Sequence, residues 1–152
     1  MSSMQTGIQA VNKSLVVDCS PERAFEVFTR EIGSWWPVHE YSIGEDQVTE
    51  VVFEEEVGGR IFERQEGGGE KEWGRLLCWE PPARFVMSWY PGKGASQATE
   101  LEVRFAPEGD GTRVELEHRG WEIFADQAQE TRDNYAGGWV SVLGYYERKL
   151  NG

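Results

Sequence analysis

Alternation between apolar and polar residues dominates the middle of the chain. From Gln47 to Gly120 the apolar positions recur at every second residue in six short segments, which is the period of strands with one buried face. Glycines and prolines separate these segments, as at Gly67-Gly68-Gly69 and Pro81-Pro82. Parallel neighbours would need long crossover connections, so the short turns predict an antiparallel meander. The predicted strands are Gln47 to Val57, Arg60 to Glu66, Glu72 to Trp79, Phe85 to Trp89, Thr99 to Phe105 and Arg113 to Gly120.

One strand and one helix are predicted before the meander. The segment Ile8 to Asp18 is rich in β-branched residues and predicts a first strand. Ser20-Pro21-Glu22 then supplies an N-cap hydroxyl, a proline at the first helical position and an acid in the first turn. Helical spacing of apolar residues extends this helix to Gly33. Trp35-Trp36-Pro37 predicts a turn or a broken second helix.

The last segment predicts a long helix with one apolar face. Its stripe consists of Tyr135, Trp139, Val142, Tyr146 and Leu150. The polar stretch from Glu122 to Asp133 predicts a loop that leads into this helix, and the pair Gly137-Gly138 predicts a close approach of its backbone to another element. The whole pattern predicts a single α+β domain over residues 1–152, in which a curved seven-stranded antiparallel sheet wraps around the C-terminal helix and two short helices lie between strands 1 and 2.

Charge and composition narrow the classes of partner. Lys and Arg total 15 against 27 for Asp and Glu, which gives a formal net charge of -12. Such a field repels phosphate backbones and anionic lipids, so neither nucleic acid nor a membrane is predicted as a partner. No apolar run approaches the roughly 20 residues of a membrane helix. Met1 to Ala10 shows no basic segment followed by an apolar one, so a cytoplasmic location is expected.

The residues that usually carry catalysis or bind metals are few. His39 and His118 are far apart, and neither Cys19 nor Cys78 neighbours them. A metal site needs several such ligands in one place, so no metal and no cofactor are predicted. His118 shares the parity of the apolar positions in its strand and is either a cavity-facing acid or base or a structural histidine. Glu55 is either a catalytic carboxylate or part of a solvated strand end.

The tryptophans indicate where a binding site could lie. They fall on the predicted turn, on the strands and on the last helix: Trp35, Trp36, Trp73, Trp79, Trp89, Trp121 and Trp139. A large ring with a single N–H donor suits the wall of an apolar pocket. The same rings could equally fill the interior and leave no cavity. Arg64 and Arg75 are candidates for a buried polar anchor or for surface ion pairs.

The order of elements and several short motifs resemble a known superfamily. The motifs are Ser20 to Phe25, Trp35-Trp36-Pro37, Gly58 to Glu63, Trp73-Gly74-Arg75, Trp79 to Pro82, Glu108 to Val114 with His118, and Gly138-Trp139. Together they resemble the START-like superfamily, also called SRPBCC or the Bet v-type helix-grip fold, and within it the branch named for the activator of the heat-shock chaperone ATPase. The resemblance implies a sheet that grips the last helix around a cavity, which in many relatives receives an apolar small molecule.

Three functions follow as hypotheses. The first is non-catalytic binding of an apolar or aromatic small molecule. The second is a protein-interaction module that docks to a chaperone or another protein, with a homodimer as a further possibility, and the third is an enzyme of the polyketide cyclase or hydrolase type that uses His118 or a cavity carboxylate. The candidate ligand contacts are Trp35, Trp36, His39, Phe53, Phe62, Trp73, Trp89, His118, Tyr135 and Trp139.

Overall fold

Seven β-strands form one antiparallel sheet in the computed structural model, which describes residues 8–41, 43–92 and 94–151 without the side chains of residues 38, 39 and 95. The strands are β1 (Val11–Val17), β2 (Val48–Phe53), β3 (Arg60–Gln65), β4 (Glu70–Glu80), β5 (Arg84–Trp89), β6 (Thr99–Glu108) and β7 (Gly111–Arg119). They lie in the order β1-β7-β6-β5-β4-β3-β2, which confirms the meander. Register shifts in the β2–β3, β3–β4 and β4–β5 pairs bend the sheet, which curls into a half-barrel.

Within the described residues, three α-helices complete the fold: α1 (Pro21–Phe28), α2 (Val38–Tyr41) and α3 (Ala128–Asn151). Short 3₁₀ turns at Ile32–Ser34 and Glu45–Gln47 flank α2. The N-terminus of α1 is as predicted, because the Ser20 hydroxyl accepts a hydrogen bond of 3.2 Å from the backbone N–H of Arg23. The predicted α+β class and the short helices between β1 and β2 are therefore confirmed.

Two helix boundaries differ from the prediction. Helix α1 ends at Phe28 instead of continuing to Gly33, because the Thr29 hydroxyl donates to the Phe25 carbonyl at 2.8 Å and the Thr29 backbone leaves the helical region. Helix α3 begins at Ala128, inside the stretch Glu122 to Asp133 that was predicted as a loop. Its first turns are polar because they face solvent, while Ala128 itself is buried.

The predicted stripe of α3 packs into the concave face of the sheet. Trp139, Val142 and Tyr146 are buried there. The Tyr146 hydroxyl donates to the Ala24 carbonyl at 2.7 Å, and the Tyr146 ring lies 5.0 Å from that of Phe28. Helix α3 is thus joined to both the sheet and α1, as the apolar spacing predicted.

The convex face of the sheet carries an Arg–Glu network. Glu102 on β6 receives hydrogen bonds of 2.9 Å from both Arg84 and Arg119, and Arg104 lies 3.3 Å away. Burial acts to raise the pKa of Glu102, but the hydrogen bonds from Arg119 and Arg84 outweigh it and hold the pKa below its usual value. These ion pairs place a dense group of charged side chains on the convex face, away from the concave face that packs against α3.

No helix in the described part of the chain is both long enough and apolar enough to cross a membrane.

Candidate functional site

An open cleft lies between the N-terminal half of α3, the end of β5 and the segment that carries α2. Its volume is about 150 Å³. The lining residues are Trp36, Tyr41, Trp89, Pro91, Asn134, Tyr135, Gly138, Trp139 and Val142. A larger groove of about 420 Å³ includes Arg30, Glu31 and Glu50 in its lining and is a solvated, charged surface. The aromatic cleft is a concave site lined mainly by aromatic and other apolar residues, as is typical of small-molecule pockets.

Three indole rings form the main wall of the aromatic cleft. The ring centroids of Trp36 and Trp89 are 6.1 Å apart, those of Trp36 and Trp139 are 6.0 Å apart, and those of Trp89 and Trp139 are 5.5 Å apart. All three rings are tilted or edge-on to one another, a favourable geometry for aromatic pairs. Because each ring rests on the other two, the wall is formed before any ligand arrives.

His118 lies behind this wall in a chain of hydrogen bonds. The Trp139 indole N–H donates to His118 Nδ1 at 3.0 Å, and His118 Nε2 lies 2.7 Å from the Thr99 hydroxyl. An indole can only donate, so Nδ1 is the acceptor and the ring proton sits on Nε2. The Thr99 hydroxyl accepts a hydrogen bond from this Nε2–H and donates one to the Trp89 carbonyl at 3.2 Å. Both ring nitrogens are therefore occupied.

The protonation state of His118 follows from its burial. The side chain is fully buried, and desolvation lowers its pKa to about 3. A neutral imidazole whose two nitrogens both have protein partners fits a structural histidine better than a cavity-facing acid or base. In this geometry His118 positions Trp139 and Trp89 and does not itself line the cleft.

We expect the buried imidazole to make stability depend on pH. The folded protein keeps His118 neutral down to low pH, whereas the unfolded chain binds a proton near the ordinary pKa of 6.5. Its contribution is therefore fully present above that value and is lost as the pH falls below it. From about pH 7.5 to about pH 5.5 the loss from this one group should be about 1.4 kcal/mol.

The matched variant for this test is His118→Asn, whose side-chain oxygen can accept from Trp139 but does not titrate. Urea unfolding at several pH values should give a flatter pH dependence for the variant than for the original chain. Parallel dependences would contradict the assignment, because the remaining carboxylates are common to both proteins.

Glu63 is a buried carboxylate that the sequence reasoning missed. It shares the parity of Ile61 on β3, and its side chain is fully buried. One oxygen accepts from the Ile43 backbone N–H and the Trp73 indole, each at 2.8 Å. The other accepts from the Gly44 backbone N–H at 2.6 Å. Glu63 therefore holds the segment after α2 against a tryptophan that supports the cleft.

The structure brings most of the predicted ligand contacts together. Trp36, Trp89, Tyr135 and Trp139 line the aromatic cleft. Trp35, Trp73 and His118 form a second layer, since Trp73 lies 4.9 Å from Trp36 and Trp35 lies 5.8 Å from it. The side chain of His39 lies outside the described part of the structure.

Two predicted contacts lie elsewhere. Phe53 packs against Phe85 and Trp79 in a separate part of the core. Phe62 lies on the convex face, where the Arg60 guanidinium sits 4.2 Å from its ring centre. The alternation along β3 points Ile61 and Glu63 inward and therefore Phe62 outward.

The other polar candidates make surface contacts. Glu55 pairs with the exposed Arg30 at 3.4 Å, and Arg75 pairs with Glu72 at 3.2 Å. Arg64 lies 3.6 Å from Glu70 and is also exposed. Among the side chains that the structure describes, no three of His, Cys, Asp or Glu come together as a metal site would require.

Gly138 lines the aromatic cleft near Tyr41, where there is room for a Cβ atom. A Cβ atom added there would lie 3.5 Å from Cε1 of Tyr41, in ordinary van der Waals contact. The same test at Gly137 meets nothing within 4 Å, so at neither glycine does a neighbouring element approach the helix closely enough to exclude a Cβ atom. Tyr41, Pro91, Asn134 and Val142 also line the cleft and were not predicted from the sequence.

Comparisons with known proteins identify relatives. A family model described as Activator of Hsp90 ATPase homolog 1-like protein matches residues 18–144. The chain is 40% identical to an anthrahydroquino-gamma-pyrone synthase, Txn09, solved in complex with SUM; the match covers 84% of this chain and 86% of that chain, with a TM-score of 0.58. A search of curated proteins finds no match.

Two further solved structures extend this picture. CalU16 from Micromonospora echinospora is 25% identical, with 90% of this chain and 72% of that chain covered and a TM-score of 0.61. The Aha1 dimer from Colwellia psychrerythraea is 17% identical, with 95% and 97% covered and a TM-score of 0.66. At that identity the Aha1 likeness shows the fold alone.

Proposed function

We propose that this chain, which belongs to the family of Activator of Hsp90 ATPase homolog 1-like proteins, binds a planar aromatic small molecule in the aromatic cleft. The observation that carries the proposal is the mutual arrangement of Trp36, Trp89 and Trp139 around an open space of about 150 Å³. A pre-formed wall of rings favours a flat, apolar ligand, because burial of apolar surface contributes about 25 cal/mol per Å².

One relative supports a ligand of this chemistry. The relative that is 40% identical is a synthase whose name describes a fused aromatic product with a pyrone ring. A flat polycyclic molecule can stack against indole faces, and contacts with charged side chains would add little to its binding free energy. The cleft lining offers it few polar partners, chiefly the Tyr41 and Tyr135 hydroxyls and the Asn134 amide.

A binding experiment tests the proposal directly. Xanthone, a planar tricyclic molecule, should quench tryptophan fluorescence on titration, and glucose should not. Xanthone should also raise the free energy of unfolding by about 1.4 kcal/mol when its free concentration is about ten times its Kd. The measurements are fluorescence titration and thermal melts at several ligand concentrations.

Matched variants locate the site. Trp36→Phe removes an indole from the cleft wall and should weaken xanthone binding, whereas Trp79→Phe changes an indole that packs with Phe53 and Phe25, away from the cleft. Equal affinities in the two variants would place the ligand elsewhere. The absence of any quenching or stabilisation by xanthone would overturn the proposal.

Ring closure of an aromatic precursor is a second candidate function, which the synthase relative favours. No carboxylate or imidazole occurs in the cleft lining within the described residues. The chain could therefore assist such a reaction by holding a flexible precursor in a folded shape and by donating hydrogen bonds to its oxygens. Dehydrative ring closure of a linear 1,3,5-triketone to a γ-pyrone, with loss of one water and followed by mass spectrometry, would test this activity.

A protein partner is the alternative that the family description suggests. An Aha1 relative is a dimer in solution, so self-association is the simplest form of this alternative. Sedimentation equilibrium over a range of concentrations would detect a homodimer, and a monomer throughout that range would count against it.

A further inference from the structure

The geometry points to the Tyr135 hydroxyl as a hydrogen-bond donor that selects ligands with a carbonyl oxygen. This inference rests on the proposed function and narrows it from planar aromatic molecules in general to planar aromatic ketones, quinones or pyrones. Tyr135 lies on α3, is half-buried and lines the aromatic cleft beside Asn134.

The hydrogen-bond partners of the Tyr135 hydroxyl leave its proton free. The Trp89 indole N–H donates to the Tyr135 oxygen at 3.2 Å. An indole has no acceptor, so the phenol is the acceptor in this pair. Within the described part of the chain, the Tyr135 hydroxyl accepts this hydrogen bond and donates none.

The ring of Tyr135 is held in place by its neighbours. Its centroid lies 5.0 Å from that of His118 and 5.3 Å from that of Trp121. Trp89 also lines the cleft, so the hydrogen bond from Trp89 to Tyr135 belongs to the cleft wall. Burial raises the pKa of Tyr135 more than the Trp89 hydrogen bond lowers it, so the hydroxyl keeps its proton at neutral pH.

A free donor in an aromatic wall discriminates between ligands. In an open cleft the phenol proton is accessible to a water molecule that can accept its hydrogen bond. A pure hydrocarbon that fills the cleft displaces this water and leaves the O–H without an acceptor, which disfavours binding. A ligand carbonyl at the same place accepts the hydrogen bond and avoids that loss.

The test compares two ligands that differ in one group. Fluorene and 9-fluorenone share a planar tricyclic skeleton, with a CH₂ group in the first and a carbonyl in the second. By equilibrium dialysis, the full chain should bind fluorenone about tenfold more tightly than fluorene. In Tyr135→Phe this preference should fall to about twofold or less, because fluorene no longer leaves an O–H without an acceptor and fluorenone loses its hydrogen bond.

Three controls make the outcome unambiguous. The infrared carbonyl stretch of bound fluorenone should lie at lower frequency in the original chain than in Tyr135→Phe, and thermal melts verify that the variant is folded. Asn134→Ala should keep the preference for fluorenone. If this variant loses the preference while Tyr135→Phe keeps it, the donor is Asn134 and the inference is overturned.

The remaining outcomes separate this inference from the proposed function. Equal binding of fluorene and fluorenone by the original chain would overturn the role of Tyr135 and leave aromatic binding intact. Binding of neither compound, together with a negative xanthone titration, would overturn both.

Discussion

Replacement of Trp139 by alanine should lower the free energy of unfolding by about 3–5 kcal/mol. The side chain is 3% exposed, and its ring contacts Trp36 and Trp89 at centroid distances of 6.0 and 5.5 Å. The variant also leaves His118 Nδ1 without the indole N–H that it accepts at 3.0 Å. Truncation therefore removes packing and a buried hydrogen bond together, and urea unfolding measures the sum.

Leu150→Ala is the control on the same helical stripe. Leu150 is partly buried near the C-terminal end of α3, where the last turn frays easily. Its truncation should cost less than half as much as that of Trp139. Equal losses in the two variants would contradict the placement of Trp139 at the centre of the interface between α3 and the sheet.

Local patterns were sufficient to predict the sheet and the position of α3. Alternation on β6, with Leu101 and Val103 inward and Glu102 outward, follows from the two-residue period of a strand. The helix boundaries were less predictable, because they depend on interactions that spacing does not encode. Thr29 ends α1 through its own hydroxyl, and Ala128 begins α3 because it is buried against the core.

The spacing of apolar positions also predicted the aromatic part of the site. It did not predict the polar part. Parity placed His118 among inward residues, but its pairing with Trp139 joins positions on different elements. Glu63 has the same inward parity as Ile61. Because charged residues are seldom buried, parity alone did not predict that Glu63 lies in the interior. Phe62 shows the converse, since an apolar residue at an outward position is covered by arginines.

Replacement of Glu63 by glutamine should destabilise the fold by about 2–4 kcal/mol. The carboxylate accepts from four N–H groups, two on each oxygen: Ile43 and Trp73 on one, Gly44 and Gln65 on the other. An amide presents an NH₂ group to two of these donors, and each unsatisfied buried donor is costly. Urea unfolding at neutral pH measures the loss.

The same substitution should also weaken the aromatic cleft. Glu63 fixes the backbone after α2, whose Tyr41 lines the cleft, and it fixes Trp73, whose ring lies 4.9 Å from that of Trp36. We therefore expect lower xanthone affinity in Glu63→Gln even under conditions in which the variant is fully folded. Glu66→Gln makes the same chemical change at an exposed position next to β3 and should alter neither stability nor binding. If Glu63→Gln is as stable as Glu66→Gln, the buried carboxylate does not anchor this wall, and the cleft must be held by its ring contacts alone.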